Sequence, residues 1–457
     1  MRAALSGLGS HEKSGLTASA SASDTIFAPA TVPGRAAIAI LRLSGPESAR
    51  AVSALTRGVP PPRSAWRTRL FDPETGDCLD DGLVLWFPGP RSATGEDVAE
   101  FHVHGSRAVL AAIMQVLHRL GLRLAEPGEF TRRAFLNGKI DLLQAEAIAD
   151  LAAAETEAQR RQALRQLDGE LGGLYRGWSQ RLTRILAHLE AAIDFPDEDL
   201  PPEIESRILG ETEGLIAEIE RHLADGHRGE RLRDGIMVAI IGPPNAGKSS
   251  LLNRIARREA AITSPIAGTT RDVVEVAIDL EGYPVILADT AGLRESEDVV
   301  EREGLRRALK RAEEAELRLF VFDARCPDQA RGAAAWPGPD TILVANKIDL
   351  APAPRDLSNS TLPVSALTGE GIDALLSALG QRVAESYRIE APVLTRARHR
   401  QALEEATLSL RRALGAALPE LRAEDLRLAL RGLGRITGAV DVEDLLDVIF
   451  RDFCIGK

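Results

Sequence analysis

The sequence predicts an α+β N-terminal domain, then an all-helical domain that is discontinuous in the chain, with an α/β domain inserted into it. Three observations carry that expectation. Short β-like runs mix with helical segments as far as Gly138, a helical texture holds from Asp141 to about residue 230, and from Gly235 apolar strands alternate with helices. Helix then returns past about residue 390 and continues to Lys457. An α/β stretch lying between two helical ones reads as an insertion, because alternating strands and helices build a parallel sheet with a core of its own. A chain of 457 residues at roughly 150 per domain agrees with about three domains.

Residues 1–23 are rich in Ser, Ala and Gly and lack the apolar stretch of a secretory signal, so a disordered extension is expected there. Residues 24–139 form the first domain, with strands expected at Ala37–Leu43 and Gly82–Phe87 and a helix at Val109–Leu120. Residues 140–230 begin the helical domain. Leu164, Leu167, Leu171 and Leu174 recur at helical spacing, with Gly169, Gly172 and Gly173 among them as places for a break. Residues 235–388 form the inserted domain, with strands at Ile236–Ile241, Val274–Leu280, Val285–Asp289, Leu317–Asp323 and Thr341–Ala345. Residues 389–457 complete the helical domain, where Leu426, Leu430 and Leu433 share a face.

Composition limits what such a chain can be. Apolar residues make up 44% and charged residues 27%, which excludes wholesale disorder, and aromatics at 4% leave the core to Leu, Ala, Val and Ile. The apolar runs fall short of the about 18 residues of a membrane span. A net charge of -11 opposes general binding to polyanions, so any nucleic-acid contact must be local, through a basic patch, or shared with a partner. Arg160, Arg161, Arg165, Arg176, Arg181 and Arg184 offer one such patch, although a solvated helix face is the simpler reading. Three scattered cysteines, Cys78, Cys326 and Cys454, provide neither a disulfide framework nor a four-ligand zinc site. They suit a reducing compartment, the cytoplasm.

Four short motifs carry the chemistry. Gly242-Pro-Pro-Asn-Ala-Gly-Lys-Ser249 follows the strand Ile236–Ile241 and precedes a helix, which is the context a phosphate-binding loop requires. Its glycines allow backbone N–H groups to turn toward phosphate oxygens, Lys248 reaches the β/γ-phosphates, and the Ser249 hydroxyl ligates Mg²⁺. Asp289-Thr-Ala-Gly292 ends a strand, putting a carboxylate near Mg²⁺ and an amide near the γ-phosphate. Asn346-Lys-Ile-Asp349 ends another, and Asp349 accepts from the N1 and N2 donors of guanine, which adenine lacks. Ser365-Ala-Leu367 supplies backbone to the guanine O6 side. The inserted domain is therefore expected to be a Ras-like P-loop GTPase.

The expected GTP-contacting residues are Asn245, Ala246, Gly247, Lys248, Ser249 and Ser250 in the phosphate loop. The switch adds Ser264, Pro265, Ile266, Ala267, Gly268, Thr269 and Thr270, with Thr270 as second Mg²⁺ ligand. Asp289, Thr290, Ala291 and Gly292, then Asn346, Lys347 and Asp349, then Ser365 and Ala366 complete the set. Where a Ras-type enzyme has a Gln to orient water, this chain has Leu293, so either another group positions the water or hydrolysis is negligible. The Asn245 side-chain carbonyl is placed to ligate a monovalent cation beside the phosphates, in lieu of an arginine finger.

At these residues the chain resembles the MnmE (also called TrmE) family of tRNA-modifying GTPases. Outside the four motifs the resemblance rests on Ala30-Thr-Val-Pro-Gly-Arg35, Thr94-Gly-Glu-Asp-Val-Ala-Glu100, and the run from Pro127 to Lys139. It continues through Asp141-Leu-Leu-Gln-Ala-Glu-Ala-Ile148, Asp194-Phe-Pro-Asp197 and the terminal Phe453-Cys-Ile-Gly-Lys457. Ala36-Ala37, Ala93, Ser106 and Ser264 depart from the usual residues without removing a polar group assigned to chemistry.

The resemblance implies a homodimer that joins a FAD-dependent partner of the MnmG (GidA) type in a heterotetramer. Together they install an aminomethyl-type (carboxymethylaminomethyl) group at C5 of the wobble uridine of certain tRNAs. The one-carbon unit comes from a tetrahydrofolate derivative, 5-formyl- or methylene-tetrahydrofolate, and GTP hydrolysis depends on K⁺. Carried over residue by residue, K⁺ falls to Asn245, Thr269 and the carbonyls of Ser264 and Ile266. The water-positioning catalytic glutamate falls on Glu301, and folate contacts fall on Arg42, Glu100, Lys139 and Lys457.

Cys454, close to the Lys457 ammonium, is expected to act chemically, because a nearby positive charge raises the thiolate fraction. His102 and His104 share a strand face but have no third ligand nearby, so a metal site is not expected there. A ribosome-assembly GTPase would share the four motifs yet usually append a basic RNA-binding module or a second G domain, and a KH pattern built on a GxxG loop is not found. A dynamin-like mechanical GTPase would need a membrane-binding tip, and none is found.

Overall fold

The computed structural model describes residues 24–32, 34–194, 203–258, 275–289, 313, 315–335, 340–352, 361–388, 391–440, 443–451, 453, 454 and 456. By contacts the chain divides into two units, one made of residues 1–141 with 443–457 and the other of residues 142–442.

The first unit opens with β1 (Ile26–Pro29), β2 (Ala36–Ser44), α1 (Ser48–Thr56), β3 (Trp66–Phe71), β4 (Cys78–Phe87) and β5 (Val98–Gly105). It continues through α2 (Arg107–Arg119), β6 (Arg123–Leu124) and α3 (Glu129–Leu136). The strands form one sheet in the order β3-β4-β5-β2-β1-β6, antiparallel except where β6 joins β1. Strict alternation along β2 buries Ala39, Leu41 and Leu43 against Phe101 and Val103 of β5 and against Ile113 and Leu117 of α2. The same period turns Arg42 and Glu100, paired in register, to the opposite face.

The second unit begins with α4 (Leu142–Ala153), α5 (Glu157–Leu167), α6 (Glu170–Asp194), α7 (Glu203–Leu223) and α8 (Arg228–Asp234). The leucine run from Leu164 to Leu174 is split between α5 and α6, because Gly169 takes a left-handed φ of 86° and stops the first helix. A sheet follows: β7 (Ile236–Ile241), α9 (Lys248–Arg258), β8 (Glu275–Leu280), β9 (Tyr283–Asp289), β10 (Leu317–Asp323), β11 (Thr341–Asn346), β12 (Thr361–Val364) and α10 (Ile372–Tyr387). Its order is β12-β11-β10-β7-β9-β8, parallel throughout apart from β8. Strands such as β7 and β10 read as continuous apolar runs because both faces are covered, and Leu251, Leu252 and Ile255 of α9 pack on one of them.

Two more helices, α11 (Ala397–Gly415) and α12 (Pro419–Thr437), pack on each other and on α6 and α7. Tyr175, Trp178, Leu182, Leu215, Leu403, Leu410, Leu426 and Leu433 fill that helical core. The helices preceding and following the α/β segment therefore share a single interior. The last helix, α13 (Glu443–Arg451), belongs to the first unit, where it packs on α3 and its Asp447 pairs with Arg132 at 3.2 Å.

Candidate functional site

The central strand β7 delivers the phosphate loop. Its neighbours are β10 on one side and β9 on the other, so the chain reverses its winding there, and a crevice opens at the carboxyl ends of the strands. Gly242 has φ 140°, and a Cβ on it would lie 2.0 Å from the Val321 carbonyl oxygen. Gly247 has φ 93°, and a Cβ would meet Asn346 Nδ2 at 2.3 Å. Both positions accept glycine alone. Between them Asn245 takes a left-handed φ of 61°, a conformation that asparagine tolerates better than most residues.

α9 starts at Lys248, directly after this loop, so its N-terminal dipole points at the crevice. Lys248 is buried, and its Nζ donates to the carbonyls of Gly242 and Pro243 at 2.7 and 2.8 Å. Burial holds its pKa below the usual lysine value, against an opposing pull from Asp289. Ser249 Oγ donates to Asp289 Oδ2 at 2.5 Å. A hydroxyl and a carboxylate in contact at the mouth of a phosphate loop form a hard oxygen donor set that fits Mg²⁺.

The base side is laced together by Asn346. Its Nδ2 donates to the Ala246 carbonyl at 2.8 Å, and its Oδ1 accepts from the Ala366 N–H at 3.0 Å, joining the phosphate loop to the loop after β12. Lys347 Nζ donates to the Asn245 carbonyl at 2.6 Å and to Asp323 Oδ2 at 2.9 Å. The Arg325 guanidinium, with help from Lys347, holds the Asp323 carboxyl well below its ordinary range. Asp349 is exposed, and its Oδ1 accepts from Ser365 Oγ at 2.5 Å. Asn346, Lys347 and Asp349 border a cavity of about 440 Å³ that Gly247, Ser250 and Ala366 also line. A carboxylate at that rim is acceptor-only and so selects a base with adjacent N–H donors, which is guanine.

Sequence reading passed over Arg254. From α9 its guanidinium donates to the carbonyls of Ala366, at 2.9 Å through Nε, and Leu367. Its place two helical turns beyond Gly247 was the available signal.

Asn245, Ala246, Gly247, Lys248, Ser249, Ser250, Asp289, Asn346, Lys347, Asp349, Ser365 and Ala366 thus gather at one crevice. Ser264, Pro265, Ile266, Ala267, Gly268, Thr269, Thr270, Thr290, Ala291, Gly292, Glu301 and Lys457 lie outside the described residues.

In the first unit, Arg42 donates to Glu100 Oε1 through Nε and a terminal nitrogen at 3.0 and 2.9 Å, and His102 Nε2 lies 3.2 Å from Glu100 Oε2. Lys139 Nζ donates to the Pro90 carbonyl at 3.0 Å. The Cys454 side chain is exposed, while its carbonyl accepts from Gly128 N–H at 3.4 Å. Phe453 is buried, and Gly456, at φ 100°, lies so close to β1 that a Cβ would come within 2.2 Å of the Pro29 carbonyl oxygen. The tail is thereby seated on the sheet that carries Arg42 and Glu100. His104 is engaged by Asp80 at 2.8 Å, and among the described residues no group of three or more His, Cys, Asp or Glu could hold a metal ion.

A parallel sheet with a phosphate loop on its central strand, a Ser–Asp pair at the mouth of that loop and an acceptor-only carboxylate beside the cavity defines a P-loop GTP hydrolase. The family model described as "MnmE helical domain" matches residues 142–454, and "GTP-binding protein TrmE N-terminus" matches residues 25–139. Contacts nevertheless place residues 443–457 with the N-terminal unit. A protein of Rhodospirillum rubrum named "tRNA modification GTPase MnmE" is 58% identical over 452 residues, covering 95% of this chain and 99% of that one. Relatives of the same name from Parvibaculum lavamentivorans and Paramagnetospirillum magneticum are each 57% identical over 441 residues, covering 95% of this chain and all of theirs. The chain belongs to the MnmE family of tRNA modification GTPases.

Proposed function

We propose that this chain is a K⁺-dependent, Mg²⁺-dependent GTPase that modifies the wobble uridine of certain tRNAs. It works as a homodimer with a FAD-dependent partner of the MnmG type, in the cytoplasm, and builds an aminomethyl-type group at C5 from a tetrahydrofolate one-carbon unit. The hydrolase and the tRNA substrate class come with family membership and with the guanine-reading crevice. Among the described residues no helix is long and apolar enough to cross a membrane.

The observation that carries the folate chemistry is the seating of the C-terminal tail. Gly456 closes against Pro29, and Cys454 presents an exposed thiol in the same unit as the Arg42–Glu100 pair. Arg42 and Lys139, with the Lys457 ammonium, suit the carboxylates of a folate tail, and Glu100 suits pteridine N–H donors. In the G domain the Asn245 side chain, with Ser264, Ile266 and Thr269, is assigned to K⁺, Thr270 to Mg²⁺ beside Ser249, and Glu301 to the attacking water.

Nucleoside analysis of tRNA from a strain lacking the gene tests the reading. The modified wobble uridine is expected to vanish and to return with the wild-type chain. A strain with unchanged nucleosides would overturn it. Complementation with Cys454→Ser, which changes one atom, is expected to leave GTP hydrolysis intact and the nucleoside absent. Full modification by this variant would remove Cys454 from the chemistry.

A further inference from the structure

Six arginines between Arg160 and Arg184 look equivalent in the sequence, yet the structure gives them different fates. Arg160 and Arg161 both pair with Glu157, at 2.8 and 2.7 Å, and Arg181 pairs with Glu218 at 2.7 Å. Arg176 and Arg184 are both exposed on α6, eight residues apart and therefore about 12 Å along the axis. Across from them, Arg427 and Arg431 stand one turn apart on α12, which packs against α6.

These two helix faces border a groove of about 670 Å³. Its walls carry the four arginines together with Ser179, Gln180 and Thr183, and its floor is Leu430, Gly434 and Val440. Among the described residues no carboxylate lines it. Arg427 is anchored at one end by Glu190 and Glu424, at 2.8 and 3.2 Å. Arg184 and Arg431 have no carboxylate partner among the described residues, and both are exposed. In a chain of net charge -11, a groove with four guanidinium groups, Arg427 among them paired with carboxylates, and no carboxylate among its described lining residues gathers positive potential at one place.

We propose that this groove between α6 and α12 is a docking surface for the RNA phosphate backbone, and that tRNA is its occupant. The inference rests on the reading that the chain acts on tRNA. An acidic protein meets a polyanion only where cations are gathered locally, and arginine forks match phosphate oxygens two at a time. Hydroxyl and amide side chains between the arginines add contacts to phosphate and ribose that do not depend on base identity. The apolar floor accommodates sugar edges. Since the arginines come from segments on either side of the inserted α/β domain, the surface exists only when the two halves of the helical domain are packed together.

The test uses the full-length protein and an unmodified tRNA transcript with a wobble uridine, with binding followed by fluorescence anisotropy over a range of KCl concentrations. The double variant Arg184→Glu, Arg431→Glu is compared with Arg160→Glu, Arg161→Glu, which makes the same change of charge on α5. The groove variant is expected to lose affinity on the order of tenfold or more and to flatten the logarithmic salt dependence by about 1.5, while GTP hydrolysis stays at the wild-type rate. The α5 variant should bind as wild type does. Equal affinity and salt slope in the groove variant overturn the proposal, and so does an equal loss in the α5 variant. Failure of the wild-type chain to bind the transcript also overturns it, while loss of the modified nucleoside in the deletion strain would leave the proposed function standing. Retained RNA affinity with lost modification in cells would assign the groove to an acidic protein segment instead.

Discussion

Asp349, the residue proposed to read the base, presents an exposed carboxylate fixed by the Ser365 hydroxyl at 2.5 Å. Asp349→Asn replaces an acceptor-only group with one that presents donors toward guanine N–H groups. Two charge-assisted hydrogen bonds are lost, worth about 3 kcal/mol, so GTP affinity is expected to fall on the order of a hundredfold. Turnover at saturating GTP should change little, because the phosphates are held elsewhere. Titration of GDP by calorimetry checks this, and unchanged affinity would show that the cavity beside Asp349 does not receive the base. Glu301, assigned through the family resemblance, has a separable signature. Glu301→Gln should keep nucleotide affinity and lower hydrolysis by roughly 10²–10⁴-fold, the range of a lost general acid–base group. Single-turnover rates at saturating protein distinguish this from a solvated surface charge, which would leave them unchanged.

At the scale of elements, α9 serves both halves of the nucleotide crevice. Its first turn carries Lys248 and Ser249, and two turns on its Arg254 clasps the carbonyls of Ala366 and Leu367. The loop proposed to meet guanine is therefore tethered to the helix proposed to meet phosphate. Arg254→Ala should raise KM for GTP several-fold with kcat held within about twofold, as expected when only uniform binding is lost. Steady-state kinetics with GTP check it, and a fall in kcat at unchanged KM would contradict it. The elements themselves were largely legible. Strands β7 and β10 have the bounds that their apolar runs predict, because strands buried on both faces show as continuous hydrophobic stretches. The α5–α6 junction was harder to place, since Gly169, Gly172 and Gly173 offered several breaks and only Gly169 adopts the left-handed turn.

At the scale of the second unit, a buried charge cluster joins α4 to α11. Glu146 is bonded by Arg398 at 2.6 and 2.7 Å and by His399 Nε2 at 2.9 Å. His399 is fully buried, and its Nδ1 has no hydrogen-bond partner among the described residues. Burial, reinforced by the nearby guanidinium groups and opposed by Glu146, brings its pKa down from 6.5 to about 4. The neutral ring donates from Nε2, and a second proton would face a site with no acceptor. Between those two pH values the unfolded chain binds a proton that the folded chain refuses, so stability falls as pH drops from 6.5 toward 4. The slope approaches about 1.4 kcal/mol per pH unit. Glu146, held ionised below its ordinary value, adds nothing to the slope until pH falls through 4.5. Urea unfolding of wild type and His399→Gln between pH 7 and 5 checks the sign. Wild type should lose stability more steeply than the variant, and parallel curves would refute the buried neutral histidine.

The nucleotide crevice was determined by sequence alone to an unusual degree, because its chemistry is local. A phosphate loop works through backbone N–H groups and glycine torsions within Gly242–Ser249, and Asp349 and Ser365 follow strands whose apolar runs fix their place. Tertiary structure decided what depends on segments far apart in the chain. It seated the C-terminal tail on the N-terminal sheet, with Gly456 against Pro29, where helical periodicity and the matched helical family model both continued the middle domain. It also separated the arginines, since the ion pair that Arg181 makes with Glu218 on a neighbouring helix is invisible until the helices are packed. Sequence spacing records which residues share a helix face. Only packing decides which charges are neutralised and which, like Arg184 and Arg431, come together across a groove from segments on either side of the inserted domain.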